Sequence, residues 1–441
     1  MAPSRRDFIR TTSVGLAAGL TIPSAFRMEK IAGANNRIRV AVIGVNGRGS
    51  SLAGTFARQK DTEISYICDV DEHAMGKCID SVKKITGIAP KGVRDFRTIL
   101  DDKNLDAVVI AMPDHWHAPA TILACKAGKH VYVEKPCSHN PAEGELMIRA
   151  AAKYKRLVQM GTQRRSWDIL TQGMNEMKAG AIGRVYFAKG WYTNGRKSIG
   201  YGKEVPVPSW LDYELWQGPA PRRPYRDNLI HYNWHWFWNW GTGEALNNGT
   251  HEIDLIRWGL GEDYALRVNS AGGRYQYKDD WETPDTQVIT FDFPGGASAM
   301  WEGRSCNRQP VEGRDRGVIF YGDQGSMSTG DNRYTLYDQQ GKMVKDVKSD
   351  KPVEGRNTVS PGEELDAVHV QNFLQALRGN EKLNAPIETG FKSVLLCQLG
   401  NIAQRAGHTL HIDKANGHIL NDKDAQALWS REYEKGWEPS V

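Results

Sequence analysis

Three stretches of this chain carry side chains whose type and spacing suit chemistry, and the first is a turn. A β-branched strand from Arg39 runs straight into Gly44-Val45-Asn46-Gly47-Arg48-Gly49, and the apolar residues from Leu52 to Phe56 then recur at helical spacing. A helix that starts on such a turn offers its free backbone N–H groups to an anion, and a pyrophosphate is the ligand that fits. Gly44 would make the tight turn and Gly49 would let the helix lie on the strand; Asn46 stands where a middle glycine is usual, and Asn tolerates positive φ. A second strand, Glu63 to Cys68, ends in Asp69, twenty residues after Gly49, where a carboxylate accepts from adenosine ribose hydroxyls. Its charge favours NAD and would repel a 2′-phosphate, with NADP as the alternative.

The second stretch is Val131-Tyr132-Val133-Glu134-Lys135-Pro136, a short strand pattern ending in a carboxylate, an ammonium and a proline. Lysine is seldom buried without a partner or a task. The third is Glu244 to Trp258, where Leu246, Ile253 and Ile256 fit a helix. Asn247 and His251 would then share one face at i and i+4, with Asp254 and Trp258 continuing the stripe. Just before it, His235, Trp236 and Trp238 belong to an aromatic run that reads equally well as core or as a wall on which a sugar stacks.

The elements around these residues alternate. A helix over His73 to Ile85 is followed by a buried strand, Ala107 to Ala111, a helix over Ala118 to Ala127, the strand into Lys135 and a helix over Pro141 to Tyr154. Strands spaced by helices imply a doubly wound parallel sheet, an α/β fold whose ligands bind at the carboxyl ends of the strands. Pro113-Asp114-His115-Trp116-His117 and Glu134-Lys135-Pro136 fall at those ends and should line the cofactor crevice, with Gln163 at the junction to the next region. Ten of the fourteen tryptophans then lie between Trp191 and Trp301. Val185 to Tyr192, Thr286 to Phe293, Ala297 to Glu302 and Arg316 to Tyr321 read as strands, and Glu364 to Leu377 and Gly390 to Arg405 as helices. That pattern predicts an open, largely antiparallel sheet with helices on one face. The boundaries expected are a dinucleotide-binding domain over 35–158, a substrate domain over 159–413 and a surface tail over 414–441.

Residues 1–34 read differently. Ser4-Arg5-Arg6-Asp7-Phe8-Ile9 followed by the Ala/Gly-rich run to Ile22 has the form of a twin-arginine export signal, too short in its apolar part to span a bilayer. The expectation is export of the folded chain to the periplasm, with retention as a membrane anchor as the alternative. This segment holds five basic and two acidic residues, so without it the formal charge of +5 falls to +2. A nearly neutral chain with no basic stripe argues against nucleic acid as partner. The six cysteines show no Cys-x-x-Cys spacing and read as buried thiols, and the twelve histidines show no ligand spacing, so no metal is expected.

Taken together, the glycine turn, Asp69, Pro113-Asp114-His115-Trp116-His117, Ala127 through Pro136 and Gly249-Thr250-His251-Glu252-Ile253-Asp254 resemble the Gfo/Idh/MocA oxidoreductases. The resemblance implies a Rossmann domain followed by an open-sheet α/β domain, NAD or NADP, a small carbohydrate or polyol substrate, and a homo-oligomer, dimer or tetramer, built through the second-domain sheet. It implies a cis Lys135-Pro136 bond. It also implies that Lys135 touches both cofactor and substrate hydroxyl, and that His251 is the acid/base. The family often has an aspartate where Asn247 stands, and an amide cannot stabilise imidazolium as a carboxylate does; Asn247 can still orient substrate, and Asp254 is a candidate for the missing charge. Three functions follow: a sugar or glycoside dehydrogenase with tightly held, internally recycled cofactor; a redox-neutral glycosidase or lyase working through a transient keto-sugar; and a non-catalytic sugar-binding protein. The family's NAD-dependent glycosidases depart from the Glu-Lys-Pro pattern, which favours the first, and the presence of Lys135 and His251 argues against the third.

Overall fold

Ile38–Ile43 alternates little because it is buried on both faces, as a central parallel strand must be. In the computed structural model, which describes residues 37–330, 332–350 and 362–441, it is β1 of a six-stranded parallel sheet. The other strands are β2 (Thr62–Cys68), β3 (Lys91–Val93), β4 (Ala107–Ile110), β5 (His130–Val133) and β6 (Val158–Met160), in the order β3-β2-β1-β4-β5-β6. The order reverses between β1 and β4, which opens a crevice at their carboxyl ends. Local chemistry sets the helices between them. Asp71 caps helix Glu72–Thr86 by accepting from the His73 and Ala74 amides, Gly87 ends it at φ +79°, and Asn140 caps helix Pro141–Tyr154. The twin-arginine segment lies outside the described residues.

The second sheet has nine strands among the described residues: β7 (Val185–Thr193), β8 (Arg267–Gly273), β9 (Thr286–Asp292), β10 (Ser298–Arg304), β11 (Arg316–Gly322), β12 (Gly325–Gly330), β13 (Arg333–Tyr337), β14 (Met343–Lys348) and β15 (Leu410–His411). Its order is β14-β13-β12-β11-β7-β10-β9-β8-β15, antiparallel throughout except where β7 runs parallel to β10. Helices Gly249–Leu260 and Ile387–Ala406 lie close on it. A Cβ at Gly190 would come within 3.0 Å of the Glu252 Cβ, and one at Gly400 within 2.4 Å of Ile289. The expected α/β architecture with two sheets of these kinds is therefore what the chain forms.

Two boundaries differ from expectation. The cut at 158 falls at the start of β6, which belongs to the first sheet. The chain also returns: helix Glu363–Leu377 packs Val370, Phe373, Leu374 and Leu377 into the core of the first sheet with Val40, Leu52 and Phe56. Phe56, Tyr132 and Phe373 meet edge to face at 5.8–6.3 Å. The tail docks on the first domain as well, with Trp437 against Trp116 and Arg431 on the buried Glu143. Between β7 and helix Glu244–Asn247 the chain makes a long excursion around its own core of Leu211, Tyr213, Trp216, Leu229, Phe237 and Trp240.

Candidate active site

Crevice, excursion and second domain enclose a cleft of about 840 Å³. Gly44 sits at φ +81°, and a Cβ there would come within 2.7–2.8 Å of the Ala111–Met112 backbone; a Cβ at Gly49 would lie 1.8 Å from the Gly44 carbonyl oxygen. Both glycines are thus required by close approach, as their spacing suggests. Asn46 differs: it keeps negative φ, so its place rests on exposure at the turn and not on a left-handed backbone. No side chain caps helix Arg48–Ala57; the Ser50 and Ser51 amides turn back to the Gly47 carbonyl at 3.1 and 3.2 Å, which leaves those of Arg48 and Gly49 available to an anion. Asp69 accepts from the Val45 amide at 2.5 Å and the Asp71 amide at 2.9 Å and lines the cleft; burial raises its carboxyl despite those bonds.

Arg48 has a role its position did not suggest. Its Nε donates to Glu134 at 2.9 Å, and its two terminal nitrogens donate to Asp366 at 2.5 and 2.8 Å. Gln163 donates to the same Asp366 at 3.0 Å. The guanidinium therefore locks the glycine-turn helix to the end of β5 and to helix Glu363–Leu377, and is not free for a 2′-phosphate. Asp366 stands 318 residues from Arg48, so no local pattern could have found it.

The Lys135-Pro136 bond is cis. From the end of β5, Lys135 Nζ reaches across to the second domain, donating to the Asn247 backbone carbonyl and lying 3.5 Å from its Oδ1. Burial pulls this ammonium below its ordinary value, opposed by Glu134 and Asp114. His117 Nδ1 is 2.6 Å from the Pro136 carbonyl, which can only accept, so Nδ1 donates there, and Nε2 is buried with no hydrogen-bond partner among the described residues. His251 lines the cleft with its Nδ1 buried and unpartnered among the described residues. Burial pushes its pKa well below the ordinary value, and Lys135, Arg316, Arg164 and Arg48 push it the same way.

Asn247 and His251 do face one cleft, though not from one helix. The chain breaks at Asn248, between helices Glu244–Asn247 and Gly249–Leu260, and Asn247 donates to Glu244 at 3.2 Å. Glu244 is buried; burial alone would raise its carboxyl, but Arg196 at 2.8 Å and bonds from Asn248 and Ser305 hold it below the ordinary value. Asp254 is a correction. It points away from the cleft, clasped by Arg165 at 2.8–3.0 Å and by Ser393 at 2.6 Å, so it neither meets substrate nor supplies charge to His251. Trp236 and Trp238 are corrections too. Trp236 is core, 1% exposed and stacked on Trp281 at 3.9 Å, and Trp238 lies under Arg405 at 5.1 Å; neither lines the cleft. His235 does line it, pushed down to about 3 by burial, and so do Trp234, the first ring of the aromatic run, and Tyr232, which lies outside that run. Gly44, Asn46, Gly47, Arg48, Asp69, Pro113, His117, Glu134, Lys135 and Gln163 all border the same space.

The residues present fit a dinucleotide and an alcohol. The uncapped helix suits a pyrophosphate, Asp69 a ribose, and the unpartnered His117 Nε2 and Gln163 Oε1 suit polar groups of a ligand in the cleft. Among the described residues no group of His, Cys, Asp and Glu is arranged to hold a metal.

Comparison with known proteins bears on this arrangement. Residues 38–162 match the model for the Gfo/Idh/MocA oxidoreductase family's NAD-binding Rossmann fold, and residues 178–412 match that for its C-terminal alpha/beta domain. A glycosyl hydrolase family 109 protein of Saccharopolyspora erythraea is 26% identical over 233 residues, 47% of this chain and 49% of the relative, so the chain spans about half the length of that relative. A myo-inositol 2-dehydrogenase of Thermotoga maritima is 24% identical over 314 residues, 69% of this chain and 79% of the relative. The aldose-aldose oxidoreductase of Caulobacter crescentus, solved with glycerol, superimposes with a TM-score of 0.64 at 17% identity, covering 85% of this chain and 100% of that one, a likeness of fold.

Proposed function

The chain belongs to the Gfo/Idh/MocA oxidoreductase family, with an NAD-binding Rossmann domain, and from that premise we propose that it oxidises a ring hydroxyl of a sugar, glycoside or polyol with NAD that stays bound between turnovers. The observation that carries this reading is the meeting of the glycine turn, Lys135 and His251 in one cleft. NAD held on the turn would supply the hydride acceptor. His251, kept neutral by burial and neighbouring cations, accepts the hydroxyl proton, and Lys135 holds the oxygen as charge develops on it. Asn247 orients the alcohol beside Lys135 with its amide donor and acceptor.

The named relatives, an inositol dehydrogenase and an aldose-aldose oxidoreductase, support a carbohydrate or polyol substrate. A second reading, redox-neutral cleavage of a glycoside through a transient keto-sugar, is favoured by the family 109 relative; Glu134-Lys135-Pro136 weighs against it. We also propose that Arg5-Arg6 and the apolar run after them export the folded chain, which then assembles through its second sheet into a dimer or tetramer. A compartment without free nicotinamide cofactor requires one that travels inside and is reoxidised in place, by a second carbonyl substrate or by the return step of a redox-neutral reaction. The test is to incubate purified protein, with no cofactor added, with a panel of sugars, glycosides and polyols and to read product masses, then to denature it and assay the supernatant for nicotinamide. A keto-sugar with a reduced partner supports the first reading and a released aglycone the second. An empty site with only micromolar affinity for added NAD refutes the bound-cofactor reading.

A further inference from the structure

The excursion between β7 and helix Glu244–Asn247 contains one residue in a conformation that its type resists. Tyr232 lies at φ +81°, ψ −47°, close to the γ-turn that L-residues rarely adopt, and a ring-bearing side chain there is strained. Neighbours fix it from several sides. Its carbonyl accepts from the His235 amide at 3.2 Å and from His235 Nδ1 at 2.5 Å. The preceding residue, His231, donates to Asp71 of the first domain at 2.8 Å, and Asp71 is itself held as the cap of helix Glu72–Thr86. Strain kept in place by so many contacts marks a site of function more often than an accident of packing.

The kink aims the side chain into the cleft. Tyr232 is 47% exposed and yet borders the same space as Lys135 and His251. The Arg196 guanidinium sits 5.3 Å from its ring, and Arg196 is in turn bound to Glu244 at 2.8 Å, so the cation near the ring is already neutralised. Trp234 borders the cleft beside it, its other face covered by His235 at 3.6 Å. Aromatic surface next to a neutralised cation suits the flat, C–H-rich face of an uncharged pyranose. It gives little to an acyclic polyol, which has no such face, and the cation beside it, Arg196, is already committed to Glu244.

We propose that Tyr232 is the specificity-determining residue of the substrate site, stacking on the ring of a neutral pyranoside and so selecting cyclic sugars over open-chain polyols. This rests on the hydride-transfer reading for the location of the substrate, and it commits that reading to one substrate class. The test measures equilibrium binding to the NAD-loaded protein of methyl gluco-, galacto- and mannopyranosides against the corresponding hexitols, with NAD affinity as the check on folding. The wild type is expected to prefer at least one pyranoside over its hexitol by tenfold or more. Tyr232→Ala should erase that preference with NAD affinity unchanged, and Tyr232→Phe, which keeps the ring, should preserve it. Where a substrate turns over, the Ala variant should raise KM and leave kcat within a few-fold. A Tyr232→Ala protein with the wild-type preference, or one that loses pyranoside and hexitol equally, overturns the inference, as does a wild type that binds hexitols as tightly as pyranosides. A wild type that shows the preference and loses it on Tyr232→Ala, but transfers no hydride from any bound sugar, overturns the catalytic reading alone.

Discussion

Replacing Arg48 by Met tests whether the glycine turn is held by the two carboxylates behind it. The substitution keeps the alkyl stem and removes three hydrogen bonds, at 2.9, 2.5 and 2.8 Å, leaving Glu134 and Asp366 with side chains only 5% and 0% exposed. Breaking a buried pair by deleting one partner costs about 3–5 kcal/mol. Arg48 is itself 26% exposed and Gln163 still donates to Asp366, so water and that amide soften the loss and the lower figure, about 3 kcal/mol, is expected. Asp366→Asn in the wild type should cost about 1 kcal/mol, since the amide oxygen still accepts from Arg48. In the Arg48→Met background the carboxylate has lost the guanidinium but keeps Gln163 and its remaining interaction, so the same change should cost less than in the wild type. The assay is equilibrium urea unfolding followed by tryptophan fluorescence without cofactor. A smaller penalty for Asp366→Asn in the Arg48→Met background is the expected result, and additivity would refute the reasoning.

Lys135→Ala and His251→Ala are each expected to cut turnover by about 10²-fold or more with NAD binding still measurable, and Asn247→Ala to cost less; a His251→Ala enzyme of near-normal turnover would put the base elsewhere. Because burial and surrounding cations disfavour the imidazolium, His251 takes a proton only at lower pH than a free histidine, so the acidic limb of the kcat/KM profile should lie below ~6.5 and a limb at or above it would contradict the assignment. With Asp69 at the ribose end and Arg48 engaged elsewhere, NAD should bind more tightly than NADP, which paired titrations decide.

What could be read in the chain beforehand tracks how local each cause is. Strand-turn-helix spacing around Gly44 and Gly49, the acid at Asp69 and the strand ending in Lys135 all depend on neighbours within a few residues or on a fixed repeat, and each borders the cleft. Asp254 went astray because helical spacing gives a face without saying what the face meets. The stripe from Asn247 assumed one continuous helix; the chain breaks at Asn248, and on the helix that follows Asp254, three residues past His251, meets Arg165 and Ser393 and not the cleft. Trp236 and Trp238 share type and run with Trp234, and only tertiary packing on Trp281 and Arg405 separates them from it. Asp71 and His231, 160 residues apart, and Arg48 and Asp366, 318 apart, are joined by the fold alone.

The absence of an acid at 247 follows from the same charges. Lys135, Arg316, Arg164 and Arg48 all act against a positive imidazole at His251, and the acids on its helix are committed elsewhere, Glu252 to Arg164 and Arg316 and Asp254 to Arg165. A proton resting on His251 would sit among like charges, while an alkoxide on the substrate would sit among opposite ones. In the proposed reaction His251 takes the hydroxyl proton and Lys135 carries the charge that develops on the oxygen, so the weakened basicity of the imidazole is offset by the stabilised oxyanion. A carboxylate at 247 would reverse that balance by stabilising the imidazolium and drawing the Lys135 ammonium to itself. The neutral amide, its Oδ1 3.5 Å from Lys135 Nζ, leaves that ammonium's charge to the substrate oxygen in the proposed reaction, in which the hydroxyl proton ends on His251.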